Sequence, residues 1–346
     1  MADARPHPPG IRTAGDGGRI VGVDVARGLA VMGMFVAHLV PSDWPETISD
    51  GRSSVLFATL AGVSLGLISG GSAPTERPSR ASVRVSVLLR ALFLIALGLL
   101  LRTFDSGIAI ILDSYGAFYV VLVPLLFLRR SGLATVAFAL AALATAVLPG
   151  VPSSTTEAVG GDPLLFLPSD WFYSGYYPGV LWIVYLLVGL IAACSDLTRR
   201  STQLLMIGGG AVASTIGYGG AALLGTDASA HSDTVWEMFG AGGLAVLVIG
   251  GLTLSTTAPR IGPVARAIGW PIGAVGAMPL TIYTVQIAIL AVFRQVWADG
   301  GEDGERLALL IALIAGAIAF ATLWRRFAGR GPLERLVSAV TTVSRR

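Results

Sequence analysis

The chain contains ten long apolar stretches, and they limit its fold more than any other feature. Each stretch is close to the roughly 18–20 residues that cross a bilayer as a helix. Only 13% of the residues are charged, whereas a soluble globular domain has about 25%. We therefore predict an all-α polytopic membrane protein with about ten transmembrane helices, at residues 20–40, 54–71, 86–102, 107–128, 132–149, 178–195, 203–224, 236–255, 271–293 and 307–324.

The basic residues indicate how these spans are oriented. All 24 are Arg, and they concentrate in alternate loops and in both terminal segments, while the opposite loops hold most of the acidic residues. Because cytoplasmic loops carry an excess of basic residues, both termini are predicted to be cytoplasmic. We expect a multi-pass protein of the bacterial cytoplasmic (inner or plasma) membrane. The arginines form no single basic surface, so no nucleic-acid partner is expected.

The sequence divides into one integral unit and two terminal segments. Residues 1–18 are rich in Pro, Gly and Arg and are predicted to be a disordered cytoplasmic tail. Residues 19–328 form the transmembrane domain, and the tail 329–346 is predicted to lie as an amphipathic helix on the cytoplasmic face. A single cysteine, Cys194, excludes an intramolecular disulfide and a cysteine-based zinc site, and no metal is expected. Small-residue faces would permit a homodimer without requiring one.

The first span carries polar residues on one side. Asp24, Arg27, Val31, Met34 and His38 are spaced 3, 4, 3 and 4, so they share a helix face. Fourteen residues of helical rise separate the ends of this face by about 21 Å. Charges inside a bilayer are costly, so the face is expected to look into the protein. The alternative is an ion pair at headgroup level and an interfacial histidine.

Other polar residues within the spans, or next to them, are candidates for the same site. His38 and His231 both map to the outer side, and either imidazole can act as a general base. Asp113 is a candidate to orient a histidine, or it bonds only backbone and water. Arg90 either binds an anionic cofactor or extends to the cytoplasmic surface. Gln286 is expected to join helices by hydrogen bonding, the commoner use of such a residue.

Seven blocks of sequence between residues 19 and 336 form an ordered pattern: RIVGVDVARGLAVMGMFVAH, SSVLFATLAGVSLGLISGG, ILDSYGAFYVVLVPLL, GYYPGVLWIVYLLVGL, HSDTVWEMFGAGGLAVLVIGG, VGAMPLTIYTVQIAIL and GPLERL. The opening block is similar to the start of the catalytic domain of heparan-α-glucosaminide N-acetyltransferase and its bacterial relatives. Later blocks resemble the actinobacterial branch and the YeiB-like membrane proteins (DUF418, DUF1624).

This resemblance implies a transmembrane acyltransferase of the cell envelope. Such a protein would move an acetyl or other acyl group from cytoplasmic acyl-CoA to a hydroxyl or amine of a sugar or glycolipid acceptor on the far side. His38 matches the family's catalytic histidine, and His231 is the second candidate. Gln286 stands where many actinobacterial relatives have a histidine, so a base is not expected there.

The expected site combines this resemblance with the polar residues. Asp24, Arg27 and Arg90 are the predicted cofactor-binding residues for acetyl-CoA, and the pantetheine arm is expected to lie along the first helix face. His38, His231 and Asp113 are the predicted catalytic residues.

Two other classes of function fit the composition. A proton-coupled secondary transporter of a small anionic or sugar-linked solute would use intramembrane Asp, Arg and His. Against it, the polar residues lie toward the two membrane faces, and only the span near Gly269–Pro271 is expected to be broken. A non-catalytic membrane scaffold would need none of these polar positions.

Overall fold

A computed structural model describes residues 19–40, 46–73, 75–151, 154–297 and 301–342. The predicted tail 1–18 and residues 343–346 lie outside these ranges. The described residues fold into helices and loops. The α-helices are α1 (Val21–Leu39), α2 (Arg52–Ile68), α3 (Arg80–Arg102), α4 (Leu112–Leu122), α5 (Arg130–Val147), α6 (Thr155–Ala158), α7 (Pro163–Ser169), α8 (Gly179–Ala193), α9 (Arg200–Ser214), α10 (Gly220–Leu224), α11 (Val235–Thr257), α12 (Gly262–Gly276), α13 (Pro279–Val296), α14 (Asp303–Phe327) and α15 (Pro332–Thr342).

Many of these helices have the dimensions of membrane spans. Seven helical segments of the described chain are long and apolar enough to cross a bilayer, and an eighth arises if Leu164–Ser174 and Gly179–Ala193, bent by 56°, count as one span. Two shorter apolar helices, Arg52–Ile68 and Leu112–Leu125, match the remaining predicted spans. The structure is therefore that of an all-α polytopic membrane protein, as the apolar stretches predicted.

The chain breaks at a different place from the one predicted. The expected span 271–293 is divided between α12 and α13 at Ala277 and Met278, whereas α12 continues through Pro271. Met278 precedes Pro279, and a proline disfavours helical backbone at the residue before it. Proline itself fits the first turn of a new helix, where its missing N–H is not needed. The expected break near Gly269–Pro271 is therefore wrong by several residues.

Glycines allow α12 to cross α1 at very close range. A Cβ atom on Gly28 would lie 2.0 Å from the carbonyl oxygen of Ile272, and one on Gly276 would lie 1.9 Å from that of Asp24. Only glycine fits at both positions, since neither backbone leaves room for a methyl group. This contact brings the carbonyl of Gly276 within 3.0 Å of the Arg27 side chain.

The first and last described segments meet at one end of the bundle. The C-terminal helix α15 packs on α3 and α13, and Glu334 of α15 lines the same pocket as Arg19 and Arg27. The Glu334 carboxylate accepts hydrogen bonds from the backbone N–H groups of Leu280 and Thr281 at 2.8 and 3.2 Å. It thereby satisfies free N–H groups at the start of α13. The arginine distribution predicts that this end, called here the inner end, faces the cytoplasm.

Candidate functional site

His38 lies in the last turn of α1, at the opposite, outer end of the bundle. Its Nδ1 atom is 2.8 Å from Nε2 of Gln286 on α13. An amide can donate to a neutral imidazole nitrogen through its NH₂ group, or accept from a ring N–H through its oxygen. The Gln286 Oε1 atom is buried and has no partner among the described residues. His38 is thus held from one side, and its second ring nitrogen is left for the cavity that it lines.

The two predicted histidines line one cavity. His38 and His231 both border a space of about 340 Å³ at the outer end, with Asp50, Ser54 and Tyr176 among the other lining residues. Residues 193 positions apart in the chain are thus brought together by the return of α11 beside α2. His38 and His231, each a predicted candidate for the base, therefore lie on the same cavity.

Aromatic rings surround His231. The rings of Tyr176, Tyr177 and Trp182 lie with their centroids 4.2, 5.7 and 5.8 Å from that of the imidazole. Tyr176 and Tyr177 come from the segment just before α8. Both also line the cavity that His38 and His231 share, so these tyrosines form part of its wall.

A buried carboxylate fixes the loop that carries His231. His231 and Asp233 both have positive backbone φ angles, 58° and 52°, which residues other than glycine seldom adopt. The Glu237 carboxylate accepts hydrogen bonds from their backbone N–H groups at 2.7 and 2.9 Å. Glu237 is in the first turn of α11 and is only 3% exposed. The strained conformation is therefore maintained by one side chain.

The buried loop has altered protonation equilibria. Burial lowers the pKa of His231 to about 4, and the charge of Asp50 opposes this shift only partly. Burial, together with the nearby Glu237, raises the pKa of Asp233 to about 7. At neutral pH the His231 imidazole is uncharged and able to accept a proton, while Asp233 is close to its midpoint.

A second pocket, of about 250 Å³, lies at the inner end and is lined by three arginines, Arg19, Arg27 and Arg90. Arg90 is half-buried in α3, and no described residue forms a hydrogen bond or ion pair with its guanidinium. A guanidinium in this position is suited to bind an anionic group, especially phosphate. This pocket includes two of the three predicted cofactor-binding residues.

Asp24 supports the arginines and does not line the inner pocket. Its carboxylate accepts from Arg19 at 2.9 Å through both oxygens and from Arg27 at 3.2 Å. Arg27 is held further by the Gly276 carbonyl and by the Ser64 hydroxyl, each at 3.0 Å. The i,i+3 ion pair of the alternative interpretation is therefore present, and it forms part of a larger network that holds the Arg27 side chain.

A thin wall separates the inner pocket from the outer cavity. Tyr115 lines the inner pocket, Ser54 lines the outer cavity, and the Tyr115 hydroxyl lies 3.4 Å from the Ser54 carbonyl oxygen. On α13, Tyr283 lines the inner pocket and lies less than one turn before Gln286, the partner of His38. The two spaces therefore approach each other near the middle of the bundle.

The middle of the predicted α1 face is packed and does not line either space. The pantetheine arm was expected to lie along the α1 face, but Val31 in the middle of that face is fully buried against other helices. The inner pocket extends instead between α2, α4 and α13, where Phe57, Leu112 and Tyr283 line it. Helix α1 therefore lines the inner pocket with Arg27 and the outer cavity with His38, while its middle is packed in the core.

Asp113 has a different role from the predicted one. Its Oδ2 atom accepts a hydrogen bond from Trp171 at 2.8 Å and forms an ion pair with Arg102, also at 2.8 Å. Arg102 contacts Asp170 as well, at 2.6 Å. The expectation that Asp113 orients a histidine is therefore corrected, because its described partners join α3 and α4 to the outer loop. A carboxylate that is fully buried needs such a cation.

One pairing and one residue escape the sequence interpretation. Gln286 joins helices by hydrogen bonding, as expected, but its partner is His38, and this pairing depends on the packing of α13 against α1, which no local pattern reveals. Glu237 was not selected, although its position three residues after Thr234 is a typical signal for a helix start. Among the described residues, no group of three or more His, Cys, Asp or Glu side chains is arranged to hold a metal ion.

The fold and these polar pockets define a class, that of an all-α polytopic membrane protein with opposed inner and outer cavities. Residues 189–344 match the model of a family described as "Protein of unknown function (DUF418)". This match supports the predicted resemblance to DUF418 proteins, and its region includes His231, Glu237 and Gln286. No curated protein matches the chain.

Proposed function

We propose that this protein is a transmembrane acyltransferase that uses acyl-CoA from the cytoplasm and modifies an acceptor at the outer side. One observation carries the proposal: the arginine-lined inner pocket and the two-histidine outer cavity come together where Tyr115, which lines the first, contacts Ser54, which lines the second. A donor held by its phosphates at one end could therefore present its reactive group close to His38.

The inner pocket supplies the donor site. Arg90 and Arg27 would bind the phosphates of CoA, because guanidinium groups form strong charge-assisted hydrogen bonds to phosphate. Arg27 is already held in place by Asp24 and Ser64, so little side-chain freedom is lost on binding. The pantetheine arm would extend past Leu112 and Tyr283 toward the wall, which must open for the thioester to reach the outer cavity.

His38 is the proposed general base. Its free ring nitrogen would take the proton from an acceptor hydroxyl or amine as the oxygen or nitrogen attacks the thioester carbonyl. The new ester or amide bond forms, the carbon–sulfur bond breaks, and CoA leaves as a thiol after the proton is returned to sulfur. This role needs a proton on Nδ1, so the Gln286 carbonyl oxygen would accept from Nδ1–H in the reacting state.

The proposal is tested by measuring on which face of the membrane the acyl group of acetyl-CoA appears. Membrane vesicles of known orientation, containing the protein, would be supplied with radiolabelled acetyl-CoA on the face that carries the chain termini. We expect label on an acceptor exposed at the opposite face, and none when acetyl-CoA is added there. If vesicles show no CoA-dependent labelling but take up a solute in response to a proton gradient, the protein is a carrier and the proposal is wrong.

A further inference from the structure

An apolar groove runs between the helices on the side of the bundle that carries α5 and α11. Helix α8 contacts both of these helices and forms its floor. The groove has a volume of about 290 Å³ and is lined almost entirely by small or apolar residues, including Phe138, Ala141, Val188, Gly209, Phe239 and Gly242. Phe138 and Phe239 are 78% and 43% exposed, so the groove is open to the surrounding lipid.

This groove and the cleft that contains His231 lie along the same two helices. The cleft has a volume of about 650 Å³, and its walls include Thr145 of α5, Leu148 just after α5 and Val235 of α11. Thr145 follows groove residue Ala141 by one helical turn, and Val235 precedes groove residue Phe239 by one turn. Both helices therefore extend without interruption from the groove to the cleft, along the same faces.

The cleft has the chemistry of a neutral polar site. Asp227, Ser232, Asp233 and Thr234 line it together with the aromatic residues Tyr173, Tyr176 and Trp236. No arginine is among the described residues that line this cleft, in contrast to the inner pocket with three. Carboxylates disfavour an anionic ligand, whereas hydroxyl groups, carboxylates and aromatic faces together suit a polyhydroxylated one.

We infer that the acceptor is a neutral glycolipid, whose chain lies in the apolar groove and whose sugar lies in the cleft beside His231. That the lipid is an acceptor rests on the proposed function. That a lipid binds at this site is argued from the groove and the cleft alone. Bulk lipid tails also fit an apolar groove, because association between apolar groups gains little within a bilayer. The cleft therefore selects one lipid from others by its headgroup, and the groove sets how deeply and in which direction that lipid lies.

Photolabelling in proteoliposomes tests this inference. Two probes carry the same diazirine-bearing tails: a glucosyl diacylglycerol, which is neutral, and a phosphatidylglycerol, which is anionic. We expect the glucosyl lipid to label peptides from 138–148 and 235–246 at least fivefold more than the anionic lipid does. Equal labelling by the two lipids would mean that only bulk lipid fills the groove, and the inference would be overturned.

Two glycines of α9 give a matched pair of variants. A Cβ atom on Gly208 or Gly209 would meet no atom within 4 Å, but only Gly209 lines the groove. Gly209→Leu should reduce labelling by the glucosyl lipid at least fivefold, while Gly208→Leu should leave it unchanged. Ala213→Phe, which fills the same groove, should reproduce the effect of Gly209→Leu. Identical labelling of all three variants and wild type would also overturn the inference.

Acetyl-CoA hydrolysis by the same preparations separates the two proposals. Gly209→Leu should hydrolyse acetyl-CoA in detergent as wild type does, since no described residue lines both the groove and the inner pocket. If wild type neither binds nor hydrolyses acetyl-CoA, the acyltransferase proposal fails, and selective labelling by the glucosyl lipid still decides whether the glycolipid site exists.

Discussion

The side-chain amide of Gln286 lies 2.8 Å from Nδ1 of His38, and this hydrogen bond joins the outer end of α1 to the middle of α13. It links two helices through one polar contact and restrains the imidazole from one side. If His38 is the base, as proposed, Gln286 is a positioning residue, and its effect should be visible in the pH dependence of the reaction.

Substitution of Gln286 should therefore change the pH profile. In Gln286→Glu, a carboxylate at hydrogen-bonding distance favours the charged imidazolium, so the acidic limb of the pH–rate profile should move up by about one pH unit. Gln286→Leu, which removes the bond without adding charge, should lower the rate without this shift. Steady-state rates of acyl transfer between pH 4.5 and 8.5 measure both effects. Coincident normalised profiles for Gln286→Glu and wild type would exclude the positioning role.

Arg90 should contribute to CoA binding without contributing to stability. It lines the inner pocket, and no described residue pairs with it. Arg90→Gln should weaken CoA binding by about tenfold, since hydrogen bonds to charged groups contribute about 1.5–3 kcal/mol. The melting temperature should stay within the error of wild type. Equilibrium binding of radiolabelled CoA measures the effect.

Arg84 provides the control for this substitution. It lies on the same helix and contacts the ring of Phe127, away from the pocket. Arg84→Gln should bind CoA as wild type does. If both variants weaken binding equally, the effect is one of overall charge and the inner pocket is not the donor site.

Glu237 should determine the structure of the outer loop and leave the inner end unaffected. In Glu237→Ala, the N–H groups of His231 and Asp233 lose their acceptor at strained positions. Each buried unsatisfied donor costs about 1–3 kcal/mol, so the loop should open. Hydrogen exchange at residues 231–233 should accelerate by at least tenfold. Glu237→Gln keeps one carbonyl oxygen, so its exchange rate should lie between those of Glu237→Ala and wild type. Unchanged exchange in Glu237→Ala, or a loss of CoA binding, would contradict this assignment.

Asp233 should make stability depend on pH. Its pKa is raised from 3.8 to about 7 in the folded protein, so the folded state binds more protons than the unfolded state between these values. Stability from this group is therefore lost as the pH rises from about 4 to 7. Asp233→Asn removes this pH dependence. The free energy of unfolding of the variant, relative to that of wild type, should therefore rise by roughly 2–3 kcal/mol between pH 5 and pH 8.

Thermal unfolding in detergent at both pH values measures this difference. His231 titrates in the opposite sense, since its pKa is lowered to about 4, but it is present in both proteins and its contribution cancels in the comparison. A constant difference between Asp233→Asn and wild type would show that the carboxyl is ionised and solvated at both pH values.

The sequence predicted the helices well because their length and composition are set locally. Apolar stretches of sufficient length must form helices in a membrane, where every backbone polar group needs an internal partner. The division between α12 and α13 was misplaced because the apolar pattern continues across Met278 and Pro279, and only the backbone constraint before proline distinguishes the two sides.

The site was predictable in part. His38, Arg27 and Arg90 were selected because charged or titratable residues are costly within an apolar span and so stand out. Their partners could not be predicted, because these partners come from distant helices. Gln286 bonds to His38 across 248 positions, and Asp113 pairs with Arg102 and not with either histidine. Pairing of this kind depends on helix packing, and the spacing of residues along the chain gives no information about that packing.

Release of free CoA from acetyl-CoA by the purified protein in detergent is the decisive measurement, made on wild type and on His38→Ala. We expect wild type to release CoA, and His38→Ala to lose this activity by at least a hundredfold while binding CoA with unchanged affinity. Equal turnover by the two proteins would remove His38 from the chemistry. If neither protein binds CoA or releases it from acetyl-CoA, the acyltransferase proposal itself is contradicted.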